Sequence, residues 1–114
     1  MKIDIRFRGI EPSASLREHA ERQVRCHLGR FGPEVGRVLL RVGDVNGPKG
    51  GLDKRCHVTA RGPRGVAATV EETSGDAYSA VDWAVERLAR SVERTIGRAR
   101  DAWRHGSPVP GRAS

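Results

Sequence analysis

Apolar and polar residues alternate along the first stretch of the chain. Ile3, Ile5 and Phe7 lie between charged neighbours, and this period of two predicts a half-buried strand from Lys2 to Arg8. Three further segments show the same alternation: Gly36 to Asp44, Arg55 to Arg61, and Val66 to Glu72. Turn-forming residues separate them, at Asn46 to Gly51 and at Gly62 to Gly65. The pattern therefore predicts four strands, with a flexible connection after the second strand and a hairpin after the third.

A helical period appears between the first two strands. Ser13 opens this segment, and Ser15 and Glu18 stand at the spacing of a capping box. The apolar positions, three or four residues apart, are Leu16, Ala20, Val24, Leu28 and Phe31. Gly32 and Pro33 are expected to end the helix.

A longer helix is predicted after the fourth strand. Ser74 and Asp76 are both suitable caps, and the helical spacing continues to about Arg104. Residues 1–104 are expected to form a single α+β domain in the order β-α-β-β-β-α. Two helices are expected to pack on one face of a four-stranded sheet. Residues 105–114, rich in Gly, Pro and Ser, are expected to be a disordered tail.

Charge points to a polyanionic partner. The 114 residues carry 21 Lys and Arg against 14 Asp and Glu, a formal net charge of +7. An antiparallel sheet can leave one face open to water, and here that face is expected to be basic. Its predicted outward residues include Arg6, Arg8, Arg37, Arg41, Arg55, His57 and Arg61.

The last helix carries a second basic surface. At about 100° per residue, Arg87, Arg90, Arg94 and Arg98 fall within an arc of about 80°, away from the apolar stripe. Asp82, Glu86 and Glu93 lie to one side, so these arginines are expected to be segregated from acids and not merely paired at i,i+4. The simpler interpretation is that a soluble helix needs a charged face, but the net charge favours polyanion binding.

Other kinds of site find less support in the sequence. No helix-turn-helix, zinc-finger or basic-zipper pattern is present, and 4% aromatic content does not favour a reader of single-stranded bases. Cys26-His27 and Cys56-His57 contain zinc-binding residue types, but neighbouring side chains diverge, and both cysteines are expected to be small buried hydrophobes. Trp103 is expected to pack near the apolar stripe and Trp83 to lie at its boundary. No enzymatic constellation, metal site or cofactor site is predicted.

A family signature begins the long helix. Asp76-Ala-Tyr-Ser-Ala-Val-Asp82, followed by Glu86-Arg-Leu88, resembles D-x-Y-x-A-[I/V]-D…[D/E]-K-L of the ribosome hibernation promoting factor and ribosome-associated inhibitor family. Ser13 to Glu18 resembles the start of that family's first helix. The resemblance extends over about residues 1 to 104.

No targeting or membrane-spanning segment is evident in the sequence, so a cytoplasmic protein is expected. The resemblance implies that this protein inhibits translation. It would bind the small ribosomal subunit in the messenger and transfer RNA channel, through basic residues that contact ribosomal RNA. It would need no cofactor, small-molecule substrate or membrane, and the chain resembles the short form, without the long form's dimerisation domain. Together with the charge pattern, the resemblance gives seven expected RNA-binding residues: Arg17, Arg22, Arg25, Arg87, Arg90, Arg94 and Arg98.

Two first-helix positions depart from the family pattern. Positions that are usually basic are Gln23 and Cys26 here. This departure motivates an alternative, a protein-interaction module that keeps the fold and no longer binds ribosomes.

Overall fold

The computed structural model describes residues 1–45 and 54–104, with side chains as far as Ala102. Its strands are β1 (Lys2–Arg8), β2 (Arg37–Asp44), β3 (Lys54–Arg61) and β4 (Ala67–Ser74). Its helices are α1 (Ala14–Leu28) and α2 (Ala77–Arg104), with a 3-10 turn at Gly29–Glu34. This order confirms the predicted α+β arrangement. The predicted connection at 46–51 and the predicted tail at 105–114 lie outside the described residues.

The sheet is mixed, with strand order β1-β2-β3-β4. β1 and β2 are parallel because α1 connects them and returns the chain in the same direction, whereas β2-β3 and β3-β4 are antiparallel. The sheet is therefore antiparallel only from β2 to β4, and its open face includes the parallel strand β1. The hairpin between β3 and β4 is confirmed, with positive φ at Arg64 and Gly65, as in a type I′ turn.

Both helices cover the same face of the sheet. α2 packs on β3 and β4, and α1 packs beside α2 and against β1. One cluster of buried residues fills the space between these layers, and its largest side chains include Leu28, Leu40 and Leu88. The opposite face of the sheet carries no element of the described chain, so its side chains face solvent.

The first helix begins at the predicted residue, Ser13, but differs from the prediction in its capping contact and in its end. Ser13 Oγ accepts a hydrogen bond from the Leu16 backbone N–H at 3.1 Å, so Ser13 is the N-cap, and the capping box expected at Ser15 and Glu18 is wrong. The α-helix ends at Leu28, and the 3-10 turn carries Phe31 to a half-buried position against the core. Positive φ at Gly32, 59°, allows this change of direction.

Candidate nucleic-acid interface

The arginine ridge, formed by Arg87, Arg90, Arg94 and Arg98, is exposed along α2. Its members differ in their partners. Arg87 forms an ion pair with Glu72 at the end of β4, and Arg90 Nη2 lies 3.1 Å from Glu86 Oε1 one turn earlier. Arg94 and Arg98 form no ion pair within the described residues. The expected segregation from acids is thus wrong for Arg87 and Arg90, and two ridge arginines remain available to a partner.

The family signature itself has a structural role. Asp76 Oδ2 accepts hydrogen bonds from the backbone N–H and the hydroxyl of Ser79, both at 3.1 Å, so Asp76 caps α2 as predicted. Ala80 and Val81 are fully buried. The first turn of α2 is therefore defined by capping and packing, and it orients the ridge that follows.

Asp82 joins the two helices. Its Oδ1 accepts a hydrogen bond from Gln23 at 2.7 Å and lies 2.6 Å from His19 Nε2, and Tyr78 packs edge-on against the His19 ring. Asp82, which lies to one side of the ridge as expected, therefore also stabilises the contact between α1 and α2. Local sequence patterns do not reveal the contact between His19 and Asp82, because the two residues are 63 positions apart. Gln23, which departs from the family pattern, supports this contact between the helices.

The first-helix arginines have unequal positions. Arg17 Nη1 donates to the Ile5 carbonyl oxygen at 3.0 Å, and its guanidinium lies over the Phe7 ring at 5.2 Å. Arg17 therefore stabilises the packing of α1 against β1. Arg22 and Arg25 are exposed and make no hydrogen bond or ion pair with the rest of the described chain. Of the three arginines predicted from α1, these two are free for a polyanion.

The open face of the sheet brings cations from three strands into rows. In one row, the register aligns Lys2, Arg37 and Arg61 on neighbouring strands. In another row on the same face, four residues further along β1, it aligns Arg6, Arg41 and His57. Arg8 and Arg55 lie one row further on. This arrangement confirms the predicted outward direction of these residues. Acids are few on this face: Asp4 pairs with Arg6 at 3.0 Å, and Glu71 lies 3.7 Å from Arg55.

Trp83 is more exposed than expected. Its relative exposure is 58%, and at 100° per residue it points along the same direction as the ridge. The expected position at the boundary of the apolar stripe is therefore wrong. The prediction relied on Trp83 preceding the buried residues Ala84 and Val85 in the chain. Consecutive side chains on a helix point in directions about 100° apart, so this proximity in sequence does not place Trp83 beside the core. The Trp103 side chain lies outside the described residues.

The two cysteines occupy different environments. Cys26 is exposed on α1, so its expected burial is wrong, whereas Cys56 is fully buried beneath the helices as expected. Burial raises the pKa of the Cys56 thiol from 9.0 to about 12 because it disfavours the thiolate. Within residues 1–45 and 54–104, no group of three or more His, Cys, Asp or Glu side chains is placed to hold a metal ion. Neither described helix is apolar enough over sufficient length to cross a membrane.

The fold and its exposed cations define a small α+β protein with basic residues on both the helical side and the open face of the sheet. The family described as Sigma 54 modulation protein / S30EA ribosomal protein matches residues 3–100. The chain belongs to this family, which confirms the resemblance seen in the sequence. No curated protein matches significantly.

Two solved structures share the fold. A ribosomal subunit interface protein from Coxiella burnetii is 21% identical, with a TM-score of 0.69, and the match covers 85% of this chain and 99% of that chain. The Protein Y N-terminal domain from Thermus thermophilus is 28% identical, with a TM-score of 0.63, and the match covers 82% of this chain and 98% of that chain.

Proposed function

We propose that this protein binds the small ribosomal subunit in the channel that messenger and transfer RNA occupy, and that it silences translation by filling that channel. The observation that carries the proposal is the family match over residues 3–100. The similar fold of a protein described as a ribosomal subunit interface protein supports it. Residues 1–104 act as one ribosome-binding domain, in the cytoplasm where ribosomes work.

Binding is by contact with ribosomal RNA and involves no chemical step or cofactor. Arginine presents a planar set of donors that matches phosphate oxygens. Arg94 and Arg98 on α2, and Arg22 and Arg25 on α1, are exposed and form no ion pair with another described residue. Arg87 and Arg90 contact RNA by exchanging their carboxylate partners for phosphates, and Arg17 contributes mainly by fixing α1 on β1.

The test is co-sedimentation with purified small ribosomal subunits. Charge reversal at Arg87 or Arg90 would also oppose Glu72 or Glu86 and disturb the fold, so the clean variant is Arg94→Glu with Arg98→Glu. Reversing two phosphate contacts is expected to weaken binding at least about tenfold at 150 mM salt. Arg94→Lys with Arg98→Lys keeps the charges and serves as the matched control. Wild-type protein that fails to sediment with subunits would refute the proposal.

The alternative, a protein-interaction module that has lost the ribosome, rests on Gln23 and Cys26. Gln23 has a structural explanation in its hydrogen bond to Asp82, which leaves Cys26 as the unexplained departure. Pull-down from stationary-phase lysate separates the two functions. Ribosomal RNA in the captured material supports ribosome binding, whereas a protein partner without RNA supports the alternative.

A further inference from the structure

The excess positive charge of the described chain lies on the open face of the sheet. Seven cations occupy this face, namely Lys2, Arg6, Arg8, Arg37, Arg41, Arg55 and Arg61, against the two carboxylates of Asp4 and Glu71. The helical side is nearly balanced by comparison. From Ala14 to Glu34 and from Ala77 to Ala102, nine arginines stand against seven carboxylates.

The sheet cations also have fewer intramolecular partners. Arg6 pairs with Asp4 and Arg55 with Glu71. The other five cations make no ion pair with any described residue: Lys2, Arg8, Arg37, Arg41 and Arg61. In contrast, four of the nine helical-side arginines are ion-paired: Arg30, Arg87, Arg90 and Arg100.

The strand register places like charges directly opposite each other. Arg37 lies between Lys2 and Arg61, and Arg6 faces Arg41. Like-charge cross-strand pairs destabilise a sheet, and the carboxylate in the next row, Asp4, pairs with Arg6 and not with the row around Arg37. Arg41 Nε and His57 Nδ1 are in addition buried without a hydrogen-bond partner. Cations thus exceed carboxylates on this face, and an external anion would offset the repulsion between them.

The spacing fits an extended anion and not a single ion. Neighbouring strands lie about 4.8 Å apart, so the row of Lys2, Arg37 and Arg61 is about 10 Å wide. The second group, around Arg6 and Arg41, begins four residues along β1, about 13 Å away. Between the two groups lies a row of Asp4, Leu39, Thr59 and Thr69, which contains no cation and whose single carboxylate pairs with Arg6.

From these observations we infer that the open face of the sheet is a second RNA-binding surface, which contacts the phosphate backbone of a different RNA segment from the one that the helices face. The inference rests on the proposed function, because it assigns the second segment to the same ribosomal RNA partner. With one RNA segment on each side, the domain bridges them and is held more firmly than by either surface alone.

The test compares variants of equal net charge on the two faces. Arg37→Glu with Arg61→Glu reverses two opposed, exposed cations of the sheet face, and Arg94→Glu with Arg98→Glu reverses two of the ridge. Affinity for purified small ribosomal subunits is measured over a range of salt. The sheet variant is expected to lose at least about tenfold in affinity at 150 mM salt, and its salt slope is expected to fall by about 2.

Matched controls separate charge from folding. Arg37→Lys with Arg61→Lys keeps the charge and is expected to bind as wild type. Thermal denaturation of each variant checks the fold, and if the reversed pair lowers Tm, Arg37→Gln with Arg61→Gln gives the same test with a smaller change in charge. Arginine-specific dicarbonyl labelling of wild-type protein gives a direct readout, since bound RNA is expected to protect Arg37 and Arg61.

Different outcomes refute the two proposals. A sheet variant with wild-type affinity and slope, beside a weakened ridge variant, overturns the second surface and leaves ribosome binding intact. Failure of the wild-type protein to bind subunits overturns the proposed function. The last outcome compares polyglutamate with duplex RNA as competitors at equal anionic charge. If polyglutamate displaces the protein from subunits as well as duplex RNA does, the partner of the sheet face is an acidic protein surface and the assignment to RNA is overturned.

Discussion

Asp82 belongs to the family signature, yet its carboxylate serves the contact between α1 and α2. It accepts a hydrogen bond from Gln23 and lies beside His19, and the latter residue is largely shielded, with 22% of its side chain exposed. A hydrogen bond to a charged group contributes more than one between neutral groups. A pattern that identifies the family therefore need not mark the residues proposed to contact RNA.

Replacing Asp82 tests this structural role. Asp82→Ala is expected to lower the free energy of unfolding by about 1–2 kcal/mol, because it removes two contacts and leaves Gln23 without its acceptor. Urea denaturation provides the measurement. The matched control is Glu86→Ala on the same helix, which removes only an exposed pair with Arg90 and is expected to cost less than about 0.5 kcal/mol. Equal losses would show that Asp82 contributes no more than a surface ion pair.

Among the elements, α2 combines two tasks along its 28 residues. One side closes the core over β3 and β4, and the other side presents the ridge. Gly97 lies in this helix where an added Cβ would meet nothing within 4 Å, whereas an added Cβ at Gly62 would overlap the carbonyl oxygen of Glu34. Gly97 is thus a helix position where a side chain could be added without a clash. Gly62 must be glycine because the backbone at Glu34 approaches it closely.

Opposite effects are expected from the same substitution at these glycines. Gly97→Ala is expected to raise the free energy of unfolding by about 0.5–1 kcal/mol, because alanine reduces the backbone entropy lost when the helix forms. Gly62→Ala is expected to lower Tm, because the backbone around Glu34 must move. Thermal and urea denaturation measure both effects. A destabilised Gly97→Ala variant would show that position 97 is more crowded than the structure indicates.

For the whole molecule, charge is distributed unequally between the two sides. The sequence shows a net charge of +7, and the register concentrates unpaired cations on the sheet face while ion pairs occupy much of the helical side. The two basic surfaces lie on opposite sides of one small domain, and no described residue pairs with arginines of both. Their contributions to binding are therefore expected to be independent.

A combined variant tests that independence. Arg37→Glu and Arg61→Glu together with Arg94→Glu and Arg98→Glu are expected to reduce affinity for small ribosomal subunits by the product of the two separate reductions. Titrations at one fixed salt concentration measure this, because salt changes every arginine-phosphate contact. A combined loss no larger than the greater single loss would mean that the two surfaces contact one RNA segment in turn.

The sequence by itself determined the element order, the buried faces, the cap at Asp76 and the family. Each of these depends on periodicity or on residues close together in the chain. Such local patterns can be recognised without knowing which segments pack together. The same patterns placed the arginines on exposed faces, because the directions of side chains follow from the periods of helix and strand.

Only the tertiary structure decided which arginines are free and which are already engaged. Arg17 meets Ile5 and Phe7, and Arg87 meets Glu72, across elements that the sequence could not place side by side. The parallel pairing of β1 with β2 brought Lys2 beside Arg37, and the antiparallel β2-β3 pair added Arg61. Ion pairs and rows of like charge depend on strand register and helix packing, which bring together residues distant in the chain.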